Sequence, residues 1–344
     1  MTVPVRRRRR RLLGAVLAAG LTAMASAAGV PADLGAQEGG ELEPSEGTEC
    51  CLYLLLPVGA RATSMAGTIT ALQGVDGAFL NPAGLAGLEG NSFVVHHSDV
   101  GTTVPEQADA FSLLLTPWSV SLALSYQLID NGESVVTDRF QQPTGELALR
   151  DHLVTASFAT ELVGGLSAGA NYKLYQQRID CTGQCGSAES VATATAVDLG
   201  VRYRPLWHPP LALGLALLNM SPGLQVENAE QADPFPARIR VGAAYDVLAA
   251  TSMGQELALR VTGGVQDRLR EPGSPTVSVG MELDVQQAIF LRAGYAPGEG
   301  LGTGAAVGLE LRYDRFNIAV ARSFVTSLLE TDSEPFQISF ALNF

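Results

Sequence analysis

From Ser92 to Phe344 the chain falls into runs of about ten residues in which apolar side chains alternate with small or polar ones at a period of two. That period belongs to strands with one face in an apolar medium and the other toward a polar interior. About fourteen such strands are expected, near 92–97, 108–115, 119–128, 147–161, 165–179, 191–205, 211–220, 237–248, 256–268, 276–286, 288–297, 303–314, 316–327 and 335–344. In the third, Val120, Leu122, Leu124, Tyr126 and Leu128 share one face, and Ser121, Ala123, Ser125 and Gln127 the other. The last repeats the pattern, with Phe336, Ile338, Phe340, Leu342 and Phe344 opposite Gln337, Ser339, Ala341 and Asn343.

The connections alternate too. Short ones such as 116–118, 162–164, 285–287 and 314–315 interleave with longer polar ones near 129–146, 180–190, 221–236 and 326–334. Outer-membrane barrels have short periplasmic turns and longer external loops, so both ends of the barrel sequence are expected on the periplasmic side. Trp118, Tyr203, Trp207, Tyr245, Tyr313 and Phe344 would then gather at the periplasmic rim as an aromatic girdle. The fold class expected is all-β, a transmembrane antiparallel barrel of about fourteen strands over residues 91–344.

What precedes the strands differs in kind. Arg6 to Arg11, an apolar run from Leu12 to Leu21 and small residues up to Ala27 make residues 1–27 a signal peptide by pattern. Residues 28–58 read as a periplasmic leader, acidic at Glu38, Glu41, Glu43, Glu46 and Glu49. The short apolar stretch Leu52 to Val58 could either pack inside the barrel or add to a strand. Residues 59–90 are rich in Gly and Ala and partly helical by pattern: Asn81 can cap a helix, and Pro82 fits its first position. A segment that folds small before a barrel is suited to plug it.

That segment resembles the N-terminal motif of the PorV/PorQ family of outer-membrane proteins. The residues that carry the likeness are Gly59, Arg61, Met65, Gly67 and Asn81-Pro82-Ala83-Gly84-Leu85, with Asp76 a further position of the plug motif. The wider FadL-type transporters of hydrophobic compounds share the Asn-Pro-Ala element. Val75-Asp76-Gly77 departs from the acidic pair usual there, and Phe79-Leu80 from a common aromatic pair. The PorV/PorQ resemblance implies a type IX secretion role, with a secretion translocon and secreted cargo as partners and external loops as the contact surface. The FadL resemblance implies uptake of hydrophobic molecules past a mobile plug. The terminal aromatic Phe344 resembles the signal read by the barrel-insertion machinery, and outer-membrane lipid is the partner of the apolar face.

Charge and chemistry narrow the choice. Charged residues are only 17% of the chain, and removing the six leader arginines from 22 basic residues leaves 16 against 35 acidic ones, about −19. Such a surface argues against nucleic acid. On the inner face the later strands place Arg240, Arg260, Glu282, Asp284, Arg292, Glu310 and Arg312, a lumen network or a polar binding lining. Cys181 and Cys185 in one expected external loop read as a local disulfide, while the vicinal pair Cys50-Cys51 has no ready account. The four histidines, His96, His97, His152 and His208, lack the clustering of a metal site. The usual hydrolase and nucleotide signatures are missing, and Gly298, Gly300, Gly302 and Gly304 alternate without forming a dinucleotide fingerprint. No enzyme activity, metal or cofactor is expected.

Overall fold

In the computed structural model the described residues are 49–99, 107–184, 190–224, 233–249, 256–297, 304–324 and 336–344. The signal peptide and most of the leader lie outside them. Fourteen antiparallel strands close into one barrel. They are β1 (Ser92–Asp99), β2 (Gln107–Leu115), β3 (Val120–Thr137), β4 (Pro143–Glu161), β5 (Leu166–Gly183), β6 (Ser190–Tyr203) and β7 (Leu211–Met220), followed by β8 (Arg238–Asp246), β9 (Leu257–Arg268), β10 (Thr276–Val285), β11 (Ile289–Ala296), β12 (Gly304–Tyr313), β13 (Phe316–Phe324) and β14 (Phe336–Asn343). Closure runs through β1 and β14, in register from Ser92↔Asn343 to Asp99↔Phe336, and Asn91 and Phe344 exchange backbone hydrogen bonds of 2.9 and 3.0 Å below that seam.

The alternation of the sequence becomes the two faces of the wall. In β3, Leu122 and Leu124 face outward while Ser121, Ala123, Ser125 and Gln127 are buried in the lumen. The same holds in β14 for Phe336, Ile338 and Phe340 against Gln337 and Ser339. Outward apolar residues on every strand form a continuous belt, and Trp118, Trp207, Tyr313 and Phe344 stand exposed at the rim of short turns. Backbone groups in a bilayer must pair internally, which a closed ladder does and an open sheet does not. Among the described residues no helix is long and apolar enough to cross a membrane. The chain is an outer-membrane β-barrel.

Three strands depart from the expected lengths. β3, β4 and β5 run 18, 19 and 18 residues, well beyond the ~9–11 that cross a bilayer. The polar stretch 129–146, expected as a loop, is mostly ladder, paired from Glu133↔Ala148 to Thr137↔Pro143 with a tight turn at 138–142. Above the membrane both faces are wet, so the alternation that marks a strand fades although backbone pairing continues. The result is a wall that continues beyond the belt on the external side for roughly 25 Å measured along the tilted strands, from about eight extra residues at ~3.3 Å each.

Candidate functional site

The plug is seated by glycines. Gly169, Gly200, Gly214, Gly242, Gly280, Gly294 and Gly308, on β5 to β8 and β10 to β12, face inward at the level where the plug backbone passes. A methyl group at Gly200 would lie 2.0 Å from Asn81 Oδ1, at Gly214 2.2 Å from the Thr70 carbonyl, and at Gly294 2.4 Å from Met65 backbone carbon. Gly200 pairs with Gly169, and Gly242 with both Gly214 and Gly264, so barrel closure builds a belt without side chains. Into it fit the short helices Ala60–Ser64 and Gly77–Leu80 and the 3₁₀ turn Pro82–Leu85. Asn81 caps that turn, accepting from Ala83 N at 3.1 Å, and its amide donates to the carbonyls of Thr70 (2.6 Å) and Val201 (3.2 Å). Wall side chains complete the seat: Asn171 donates to Ala78 O (2.9 Å) and Arg202 to Ala71 O (2.9 Å).

The other residues of the plug motif have structural places. Gly59 and Gly67 take positive φ (90° and 71°), Met65, Ala83 and Leu85 are fully buried, and a methyl on Gly84 would meet the Leu72 carbonyl at 2.7 Å. Arg61 is the electrostatic latch, 3.2 Å from Glu282 on β10 and 3.7 Å from Asp76, with a 3.0 Å bond to the Gln73 carbonyl.

Below the plug, on the side of the short turns, lies a polar cavity of about 730 Å³. Its charges form a relay across neighbouring strands. Glu282 is bound by Arg61, Arg260 (2.8 Å) and Arg292 (2.7 Å); Arg292 reaches Glu310 at 2.6 Å, and Arg312 also bonds Glu310. Arg260 continues to Asp246 at 2.7 Å. Two residues read with this set stand apart. Asp284 accepts from Gln287 N (2.7 Å) and shapes its turn, while Arg240 lies on the opposite side of the plug, where it reaches the Leu55 carbonyl at 3.4 Å.

Above the plug, on the external side, lies a second cavity of about 430 Å³. One wall is the stretch that precedes the plug. Residues 49–58 lie inside the barrel, the interior packing that was one of the two alternatives for Leu52 to Val58 at the end of the expected leader: Cys50 N donates to the Pro234 carbonyl (3.0 Å) and Glu49 pairs with Arg238 at 2.6 Å. The hydrogen bond from Arg238 holds the Glu49 carboxyl below its ordinary value of 4.5. Leu56, Val58, Ala108, Ala110, Ile129 and Leu149 give this cavity its apolar lining. Beside it Tyr53 lies tilted against Tyr175, which meets Phe235 edge to face, and Leu224 and Phe235, each 1% exposed, fold inward. Leu224 and Phe235 therefore cap the lumen.

Several buried polar residues here were not singled out from the sequence. Asp151 accepts from Tyr175 (2.7 Å), Asn131 (2.8 Å) and Gln177 (3.2 Å), and Lys173 and Asp198 form a fully buried pair at 2.8 Å. Each is one inward position on its strand, and nothing short of strand register relates them. Cys50 and Cys51 are free thiols, Cys51 at φ 58°. Cys181 is disulfide-bonded; Cys185 lies outside the described residues.

The uncharacterised protein family UPF0164 matches residues 22–343. No curated protein sequence matches the chain. Among solved structures, the CymD monoaromatic hydrocarbon channel is similar at a TM-score of 0.59 and 14% identity, covering 84% of this chain and 98% of CymD. The P. putida toluene transporter TodX is similar at 0.53 and 14%, covering 84% and 99%. A Pseudomonas aeruginosa FadL homologue is similar at 0.51 and 12%, covering 83% and 98%.

Proposed function

The chain belongs to the uncharacterised protein family UPF0164, and from that premise we propose that it is an outer-membrane uptake channel for small hydrophobic molecules. The observation that carries the proposal is the external cavity: an apolar pocket within an otherwise polar lumen, beneath the projecting wall of β3–β5 and above a seated plug. A pocket of several hundred Å³ with an apolar lining and a few polar groups is the ordinary form of a small-molecule site. The similarity to hydrocarbon-transport barrels supports this reading over the type IX secretion role that the PorV/PorQ resemblance implies. It requires no chemistry on the transported molecule.

The geometry suggests where the molecule passes. His96 lines both cavities, and the Gly59 backbone lies against it so closely that a methyl there would sit 2.7 Å from the ring. A local shift of residues 57–60 away from β1 joins the two cavities while the glycine belt keeps the rest of the plug in place. Binding of naphthalene to the purified barrel, measured by its fluorescence, tests the capture step. Saturable binding is expected, and Ala110→Trp, which fills the pocket, should abolish it while the barrel keeps its heat-modifiable mobility. Binding that survives Ala110→Trp unchanged would place the hydrophobe on the lipid-facing surface and end this reading.

A further inference from the structure

A third cavity, of about 470 Å³, lies on the external side of the plug, between the 52–57 stretch and strands β8–β10. The same stretch bounds the apolar pocket, and Leu52 and Pro57 line both spaces. The charged residues of this lining are Arg238, Arg240, Arg268 and Asp267, an excess of cations in a chain whose net charge is −13.

Three of the four have partners. Arg238 pairs with Glu49 at 2.6 Å, Arg268 lies 3.6 Å from Glu271, and the Asp267 carboxylate accepts from the backbone N–H groups of Arg268, Gly273 and Ser274. Arg240 is different. It is only 7% exposed, and among the described residues no carboxylate forms an ion pair with it. Its Nη2 reaches the Leu55 carbonyl at 3.4 Å, a long contact for a charged donor. A buried charge without a countercharge is costly, so Arg240 calls for an anion.

The guanidinium borders the cavity space. Gly67 lines the same cavity, and a methyl built on it would meet, beyond its chain neighbours, nothing within 4 Å except Arg240 Nη1 at 3.7 Å. The volume in front of Gly67 is therefore open, with Nη1 at its edge. Neutral donors continue the row across the sheet. Register sets Arg240 opposite Gln266 on β9 and Gln266 opposite Thr276 on β10, and Ser278 is the next inward residue of β10. All three line the cavity and are half-buried, so their side chains keep open surface.

A guanidinium has donors and no acceptor, and an amide and two hydroxyls beside it can each donate as well. An oxyanion group accepts from all of them and supplies the missing charge. A cation would meet three arginines, and a plain hydrocarbon would leave Arg240 unpaired.

We propose that this cavity binds a small oxyanion, a carboxylate or a phosphate, with Arg240 as its countercharge and Gln266, Thr276 and Ser278 as neutral donors. The site is separate from the hydrophobe pocket and stands independently of the uptake reading. Calorimetric titration of the purified full-length barrel, in non-ionic detergent, with inorganic phosphate, benzoate and benzylamine tests it. Saturable binding of phosphate or benzoate is expected, and none of benzylamine. Tighter phosphate would assign the site to phosphate chemistry, and tighter benzoate to a carboxylate on an apolar body. Arg240→Gln should weaken that binding about 10- to 100-fold, the effect of losing charge-assisted hydrogen bonds, and Arg240→Lys, which keeps the charge without the fork, should restore part of it. Should Arg240→Gln fail to assemble, Thr276→Val/Ser278→Ala, which leaves the arginine in place, should weaken binding several-fold. Absence of binding by both anions at millimolar concentration would overturn the inference, as would affinity unchanged in Arg240→Gln or in the Thr276/Ser278 double variant. Benzylamine binding as tightly as either anion would also overturn it.

Discussion

Gly200→Ala should unseat the plug without harming the barrel. The new methyl would lie 2.0 Å from Asn81 Oδ1, 2.9 Å from Pro82 Cδ of the proline ring and 3.1 Å from Ala83 N, and the Asn81 side chain is pinned by three hydrogen bonds. Asn81 would have to leave its site, taking with it the cap on Pro82–Leu85 and the bonds to the Thr70 and Val201 carbonyls. Losing the cap costs ~1 kcal/mol, and each further hydrogen bond ~0.5–1.5 kcal/mol, so the seated plug should lose about 2–4 kcal/mol. That shift raises the unseated population about 30- to 1,000-fold. The strand itself tolerates alanine, since Gly200 has ordinary extended backbone and a neighbour across the ladder in Ala216. Protease access to the plug in intact outer membranes and conductance across planar bilayers should both rise, with unchanged heat-modifiable mobility. Gly263→Ala is the control, because its methyl would meet nothing nearer than the Ser278 carbonyl at 4.0 Å. Equal protease resistance and conductance in Gly200→Ala and wild type would refute the seating argument.

Glu282→Gln leaves Arg61, Arg260 and Arg292 without the carboxylate they share, and should destabilise the protein by ~3–5 kcal/mol in urea unfolding; a change under 1 kcal/mol would mean the relay is dispensable. Because the folded pKa of Glu49 is depressed, its contribution is complete above the ordinary 4.5 and is lost as pH falls through the lower folded value. Proteolysis within 49–58 should therefore accelerate on acidification below pH 4.5, and Glu49→Gln should show fast cleavage at every pH; a pH-independent wild type would contradict the anchoring role. Phe344→Asp places a charge at the interface, where it costs only ~0–1 kcal/mol, so a severe loss of membrane protein would indicate lost recognition by insertion machinery, and normal levels would remove the C-terminal signal from consideration. Peptide mapping without reduction should find Cys181 linked to Cys185; recovery of Cys181 as a free thiol would contradict its bonded state.

The barrel was legible because period-two alternation reports a physical boundary, lipid on one side and lumen on the other. Where that boundary ends, so does the signal. β3, β4 and β5 continue past the membrane with both faces wet, and 129–146 read as loop. The compactness of the plug could be read from its small residues, and the cap from Asn81-Pro82. The seat could not, because Gly169, Gly200, Gly214, Gly242, Gly280, Gly294 and Gly308 each look like a lone glycine in a strand until closure brings them to one level. The lumen charges were visible as inward positions, yet register decided which of them met: Glu282 faces both Arg260 and Arg292, whereas Arg240 faces Gln266 and Ala216. The stretch Leu52 to Val58 was ambiguous between strand and interior packing, and it is held inside by Arg240 on the Leu55 carbonyl and Gln337 on the Pro57 carbonyl, both far away in sequence.

Capture of a hydrophobe above a seated plug fixes where bromine must lie in crystals grown with 6-bromo-2-naphthol. Anomalous density is expected between the 49–58 segment and β3–β4, near Leu56, Ile129 and Leu149. Density confined to the charged cavity beneath the plug, or to the outer belt alone, would contradict it.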